Sequence, residues 1–297
     1  MILVFGSINI DVLIPVPHLP APGETVLGGD YALAPGGKGA NQALAARRAG
    51  AEVSMAGAVG EDAFAMPALE LLVGEGVDLT LVHRVGRSTG CASVIVDAGG
   101  ENLIAVGSGA NALVRADQVP DAALGPDMVL VCQMEVPPGE TAALIRRARD
   151  SGARTVLNLA PALLLPEELL PHIDVLVANR GEAVALGDPG GVARQLREAL
   201  VVTKGADGAT AFLADGSRIA VPALAVEPID TTGAGDAFVG VLAAGLGQGL
   251  AFRPALHRAS AAAGLACLAR GAQPALPDRA AIEAALSRLP EPRHIPS

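Results

Sequence analysis

Apolar positions in this chain come in two kinds of run. Short, nearly continuous stretches alternate with longer ones in which apolar residues recur every three or four positions. The stretches 2–6, 53–59, 128–133, 155–159, 175–178 and 200–203 are rich in Val, Leu and Ile and short enough for strands buried on both faces. Helical periodicity predicts helices over 36–49, 63–74 and 139–151, a short one from Glu182, and one over 191–198. Two shorter strands are expected at 210–214 and 218–221, and helices over 237–246, 254–268 and 279–289 close the chain. Alternation of strand and helix predicts an α/β fold, with a central, mostly parallel sheet and helices on both faces.

Two segments break the alternation. Residues 9–33 are rich in Pro and Gly, with apolar side chains at every second position (Val12, Ile14, Val16), which reads as a hairpin excursion. Residues 91–97 and 102–107 also alternate and are joined by Ala98-Gly-Gly-Glu101, a hairpin signal. Together they predict a small β-sheet outside the main one, a lid made of insertions at about 10–35 and 88–110 in a single 1–297 domain. The tail after Pro290 is expected to be disordered.

Composition narrows the class. Half the residues are hydrophobic, but no apolar run is long enough for a membrane span, and no basic leader precedes the first strand. A net charge of −10 without basic clusters argues against nucleic acid or an anionic membrane as partner. Cys91, Cys132 and Cys267 are scattered and lack metal-ligand spacing, which fits core packing in a reducing cytoplasm. Among 21 basic residues only Lys38 and Lys204 are lysines, and both sit in glycine-containing turns, where a compact cation beside an anion would be useful.

The segment with the most chemistry is Asp-Thr-Thr-Gly-Ala-Gly-Asp at 230–236, an extended run opening an apolar helix. Its first-turn N–H groups have no partner within the helix and attract phosphate. Asp236 would repel a phosphate, so its presence there makes chemical sense if it faces the attacking group. It can then take a proton from a hydroxyl while the amides of Gly233, Ala234 and Gly235 stabilise the transferring phosphoryl group. The alternative is a capped, Asp-rich helix start with no ligand.

Gly-Gly-Lys-Gly-Ala-Asn-Gln at 36–42 marks a second glycine-rich helix start. It is not a P-loop, and neither segment completes a dinucleotide fingerprint. Asn9 and Asp11 follow the first strand, where α/β sheets bind ligands, and suit a grip on vicinal hydroxyls. Glu135 follows another strand, and Asn179 and Glu182 a third. A carboxylate near phosphate usually acts through a hard cation such as Mg2+.

These residues resemble the ribokinase-like carbohydrate kinase family from position 6 to position 274. The two glycine motifs carry the likeness, with support from Pro-Gly-Glu-Thr-Val at 22–26 and Gly-Glu-Asn-Leu-Ile at 100–104. The resemblance implies transfer of the ATP γ-phosphoryl group to a sugar, ribose in first place, with Asp236 as catalytic base. Deoxyribose, fructose, a sugar acid or a nucleoside are alternatives, as is a non-catalytic sugar or nucleotide sensor. It implies that Asn9, Asp11, Gly37, Lys38, Gly39, Asn41 and Glu135 hold the sugar. Asn179 and Glu182 would serve phosphate and, through water, Mg2+. Thr203, Lys204, Gly205, Asp207 and Gly208 would line the nucleotide pocket, with Ser260 near the adenine. Asp230 and Thr232, with carbonyls of Ala266, Ala269 and Gly271, would form a monovalent-cation loop for K+. Ala275 stands where the family often has a Ser hydroxyl, which would weaken that loop. A homodimer through the lid is also implied.

Overall fold

The computed structural model describes residues 1–295. Along the chain run β1 (Ile2–Phe5), β2 (Asn9–Pro15), β3 (Ala32–Gly36), α1 (Lys38–Arg48), β4 (Val53–Gly60), α2 (Ala65–Gly74), β5 (Asp78–Val85), β6 (Gly90–Val96) and β7 (Asn102–Gly107). Then come β8 (Val129–Cys132), α3 (Pro138–Asp150), β9 (Arg154–Asn158), β10 (Val175–Asn179), α4 (Arg180–Val184), α5 (Pro189–Ala193) and β11 (Ala199–Thr203). The chain closes with β12 (Ala209–Leu213), β13 (Arg218–Val221), α6 (Ala234–Gly247), α7 (Phe252–Ala266), α8 (Arg279–Leu286) and β14 (Arg293–Ile295).

The main sheet has the order β14-β13-β12-β11-β10-β9-β8-β1-β4-β5. Strands β5 through β11 in that order are parallel, and β12, β13 and β14 extend the sheet antiparallel. Because side chains alternate along a strand, each parallel strand serves two cores. Ile2 and Val4 of β1, Val131 of β8, Val177 of β10 and Val201 of β11 pack with α1, α2, α6, α7 and α8. Leu3, Phe5, Leu130, Leu176 and Leu200 face the other way, onto α3 and the short α4 and α5. Cys132 is fully buried in that second core, and burial pushes its thiol up. The expected fold class is therefore the observed one.

A second sheet, ordered β3-β2-β6-β7, is built from the two excursions. β2 pairs antiparallel with β3 and parallel with β6, and β6 pairs antiparallel with β7.

Three expectations need correction. Strand β5 was not foreseen; its pattern is half exposed, with Asp78, His83 and Arg84 interrupting the apolar positions. The helix expected over 191–198 is the short α5, which starts earlier because Asp188 caps the N–H groups of Gly190 and Gly191 and Pro189 fills the first turn. The tail is not disordered at residues 293–295, which pair with β13 as β14. Residues 296–297, in the rest of that tail, lie outside the described residues.

Candidate active site

The carboxyl ends of the adjacent parallel strands β1, β8, β9, β10 and β11 form one rim. From this rim come Asn9 and Asp11 beyond β1, Gln133 and Glu135 beyond β8, Asn158 at the end of β9, and Asn179 and Thr203, which are register partners at the ends of β10 and β11. Ligands of open α/β sheets bind at such a rim.

Helices α1 and α6 pack side by side above it. Their backbones come unusually close because Gly240 lies on the contact: a Cβ there would sit 2.5 Å from the Gln42 carbonyl oxygen and 2.7 Å from the Ala45 Cβ. One turn before Gly240, Asp236 is thereby set against the first turn of α1. Asn41 donates from Nδ2 to Asp236 Oδ2 at 2.8 Å, and Gln42 from Nε2 to Asp236 Oδ1 at 2.9 Å. The same Gln42 nitrogen reaches Asn158 Oδ1 at 3.0 Å, and Gln133 donates to Gln42 Oε1 at 2.7 Å. The ends of two strands and two helices thus fix one buried carboxylate through a chain of amides.

Burial is the largest influence on Asp236 and raises it above the ordinary carboxylate range, against the pull of Lys38 and the two amides. Lys38 is also covered, which alone would depress it. The carboxylates of Asp236, Glu135 and Glu182 outweigh that and hold the ammonium above its usual value. Asp11 is pushed up to about 6 by burial, reinforced by Glu135 and Asp236. The site is therefore a cluster of carboxylates around one lysine.

Glu135 also ties two elements of the site together. Its Oε2 accepts from Ser7 Oγ at 2.5 Å and from the Lys38 N–H at 3.1 Å, tying the end of β1 to the start of α1. Asn9 is braced by Asn111, whose Nδ2 donates to Asn9 Oδ1 at 2.7 Å and whose Oδ1 accepts from the Ile8 N–H at 2.9 Å. Ser7, Gln42, Asn111, Gln133 and Asn158 were not among the expected site residues. A Gln or Asn closing an otherwise apolar run is the sequence signal that points to Gln133 and Asn158.

At the amino end of α6, Gly233 caps the helix with φ +77°, and Ala272 Cα lies 2.9 Å from where its Cβ would be, so only glycine fits. A Cβ on Gly235 would meet nothing within 4 Å, so this position opens onto free space. The Ala234 N–H donates back to the Thr231 carbonyl at 3.2 Å. The amides of Gly235 and Asp236, in the first turn, are consequently the outward ones. Asp230 accepts from the Thr232 N–H (2.9 Å), the Thr232 hydroxyl (2.7 Å) and the Gly271 N–H (2.8 Å). These bonds overcome partial burial and hold the Asp230 carboxyl below its usual value. Asp230 thereby links the 230–232 turn to the segment after α7, with Ala266 at the end of that helix and Ala275 buried just beyond.

At the end of β10, Asn179 and Glu182 form a capping box: the Glu182 N–H donates to Asn179 Oδ1 and the Asn179 N–H to Glu182 Oε2, each at 2.8 Å. Burial raises the Glu182 carboxyl despite this bond and the nearby Lys38. Asp207 pairs with Arg180 at 2.7 Å, joining the 203–208 turn to the start of α4. Gly208 abuts the Val221 carbonyl, and buried Ser260 donates to the next carbonyl, Pro222, at 2.5 Å, so Gly208 and Ser260 share one wall. Lys204 does not join Lys38: its Nζ donates to Thr210 Oγ1 at 2.8 Å on the neighbouring strand.

The family model for pfkB family carbohydrate kinases matches residues 1–279. The chain belongs to that family. It is 36% identical over 296 residues to a ribokinase of Bacillus subtilis, spanning 96% of this chain and 99% of that one. Among solved structures it resembles a ribokinase from Thermotoga maritima, with a TM-score of 0.90 at 29% identity over 97% of this chain and 99% of that one. It also resembles an Arabidopsis thaliana ribokinase complexed with ribose and ATP, with a TM-score of 0.84 at 27% identity over 96% and 98%. This chain is a sugar kinase, and its chemistry is phosphoryl transfer to a carbohydrate hydroxyl.

Proposed function

We propose that this kinase transfers the γ-phosphoryl group of ATP to the 5-hydroxyl of D-ribose, with Asp236 as the general base. The observation that carries the reading is the buried Asp236 carboxylate, both of whose oxygens are held by amides at the start of a helix. Each oxygen keeps a lone pair for a sugar hydroxyl proton, and a carboxylate raised by burial is a better base than a solvated one. The outward amides of Gly235 and Asp236, with Gly233 shaping the turn, are placed to stabilise charge on the transferring group.

On the sugar side, Asn9 and Asp11 share one face of β2 and present polar groups to vicinal hydroxyls. The buried Asn41 Oδ1 has no partner within the protein, which is costly unless a ligand hydroxyl supplies one. Lys38 keeps its charge among three carboxylates and would balance the phosphoryl group in flight. The ribose preference follows the B. subtilis and A. thaliana relatives. A 32% identical deoxyribokinase of Salmonella typhi makes the 2-hydroxyl the discriminating feature to test.

Among the described residues no cluster of three or more His, Cys, Asp or Glu could hold a metal. Mg2+ would therefore take its ligands mainly from ATP and water, with the raised, half-buried Glu182 as a water-mediated contact. Bound there, it would neutralise phosphate charge. The ionised Asp230 and the backbone carbonyls of Ala266, Ala269 and Gly271 supply hard oxygen donors that suit K+. The second sheet would close over the sugar as a lid, and the exposed Leu103, Ile104 and Val106 of β7 suit pairing with a second copy. Among the described residues no helix is long and apolar enough to cross a membrane; a cytoplasmic location is part of this proposal.

The test is a coupled ADP-release assay over ribose, deoxyribose, fructose, 2-keto-3-deoxygluconate and adenosine, with and without K+. Ribose should give the highest kcat/KM. Asp236→Asn should lower kcat by roughly 10²–10⁴-fold, and near-normal turnover of that variant would refute the base assignment.

A further inference from the structure

Helix α1 serves the reaction at its amino end through Lys38, Asn41 and Gln42. Its last residue, Arg48, carries out none of that chemistry, yet its side chain is only 15% exposed. One guanidinium nitrogen, Nη1, donates to the carbonyls of Gln273 and Leu276, each at 2.9 Å, while Nε donates to Glu75 Oε1 at 3.0 Å. The segment it grips, 271–276, is the one against which the cap of α6 rests. Ala272 is the nearest neighbour of Gly233, and the Gly271 N–H donates to Asp230 at 2.8 Å. The side chain of Gln273 does not help to hold this loop: it is fully buried and neither amide atom has a partner.

We infer that Arg48 is a positioning residue for phosphoryl transfer. It sets the height of the 271–276 loop and, through Ala272 and Gly271, that of the 230–236 turn presenting the phosphoryl-binding amides. One helix then fixes both halves of the reaction: its start orients the base, and its end seats the turn opposite. The fork geometry matters. A lysine ammonium in the place of Nη1 could donate to the two carbonyls but would have no second nitrogen for the Glu75 contact that Nε makes. Misplacement of catalytic groups by about 1 Å can cost roughly 10²-fold in rate.

This inference rests on the kinase reading, so its test has two readouts. In Arg48→Met, kcat for ribose phosphorylation should fall roughly ten- to hundredfold, while sugar affinity by calorimetry stays within about twofold, since the sugar contacts lie at the other end of α1. Arg48→Lys should recover part of the loss. Hydrogen exchange at residues 229–237 and 270–277 should quicken in Arg48→Met and remain unchanged in α3. Wild-type kcat in Arg48→Met, a parallel loss of kcat and sugar affinity, or unchanged exchange at 229–237 would overturn the inference. Should Arg48→Met not fold, Arg48→Lys decides alone: reduced kcat at unchanged sugar affinity supports the role, and wild-type turnover ends it. Failure of the kinase reading would look different, because the unsubstituted protein would then phosphorylate no sugar while the exchange comparison still reported whether Arg48 seats the turn.

Discussion

Replacing Gly240 by alanine adds one methyl group at the crossing of α1 and α6. Its Cβ would lie 2.5 Å from the Gln42 carbonyl oxygen and 2.7 Å from the Ala45 Cβ. Carbon contacts are comfortable at about 3.5–4.0 Å, so the helices must part by roughly 1 Å. Neither neighbour is the mobile end of a side chain, and both helices are buried along this face, so the strain cannot be relieved by a rotamer change. Overpacking of this kind costs about 1–3 kcal/mol. Parting the helices also draws Asp236 away from Asn41 and Gln42. Bonds of 2.8 and 2.9 Å lengthened by about 1 Å exceed hydrogen-bonding range. The freed carboxylate loses its orientation, and kcat should fall by roughly 10²-fold. Urea unfolding followed by fluorescence or circular dichroism gives the stability change, and steady-state kinetics gives kcat. A Gly240→Ala protein that loses stability but keeps full kcat would show that the α1–α6 contact does not position the base. One that keeps both would refute the packing argument itself.

Asp11, with a folded value of about 6 against an ordinary 3.8, binds more protons in the folded than in the unfolded chain between those values. Its contribution to stability is therefore present at low pH and lost as pH rises from about 4 to about 6; Asp11→Asn should flatten that part of the profile in thermal melts. The same titration removes a hydroxyl-accepting carboxylate below about pH 6, so KM for ribose should rise as pH falls, and a flat KM across pH 5–7 would disprove the contact. Asn111→Ala leaves the Ile8 N–H and Asn9 Oδ1 without their partner. It should destabilise the protein by about 1–3 kcal/mol and raise sugar KM more than it lowers kcat, as measured by denaturation and kinetics.

The sequence made some of this legible because some residues are odd where they stand. An aspartate in a helix start built to attract anions needs a reason, and the reason names the reaction. The parallel strands were equally plain, because burial on both faces demands nearly unbroken runs of Val and Leu. Strand β5 and strand β14 were not: one is an edge with charges among its apolar positions, and the other, three exposed residues long, is held by its backbone pairing with β13. Lys204, a lysine in a glycine turn, bonds Thr210 on the next strand, a pairing that the turn's own residues do not reveal. The partners of Asp236 show the deeper reason for such gaps. Gln42 is 194 residues away in sequence from the carboxylate it holds, and Gln133 is 91 residues from Gln42. Locally, each is a polar residue in an apolar element, which propensity treats as a defect. Paired, they determine which lone pairs of Asp236 remain free and how strongly the proposed base is held. The type of reaction is therefore written in a single segment, whereas the strength and aim of the base depend on pairings that exist only once the sheet has brought its strand ends together.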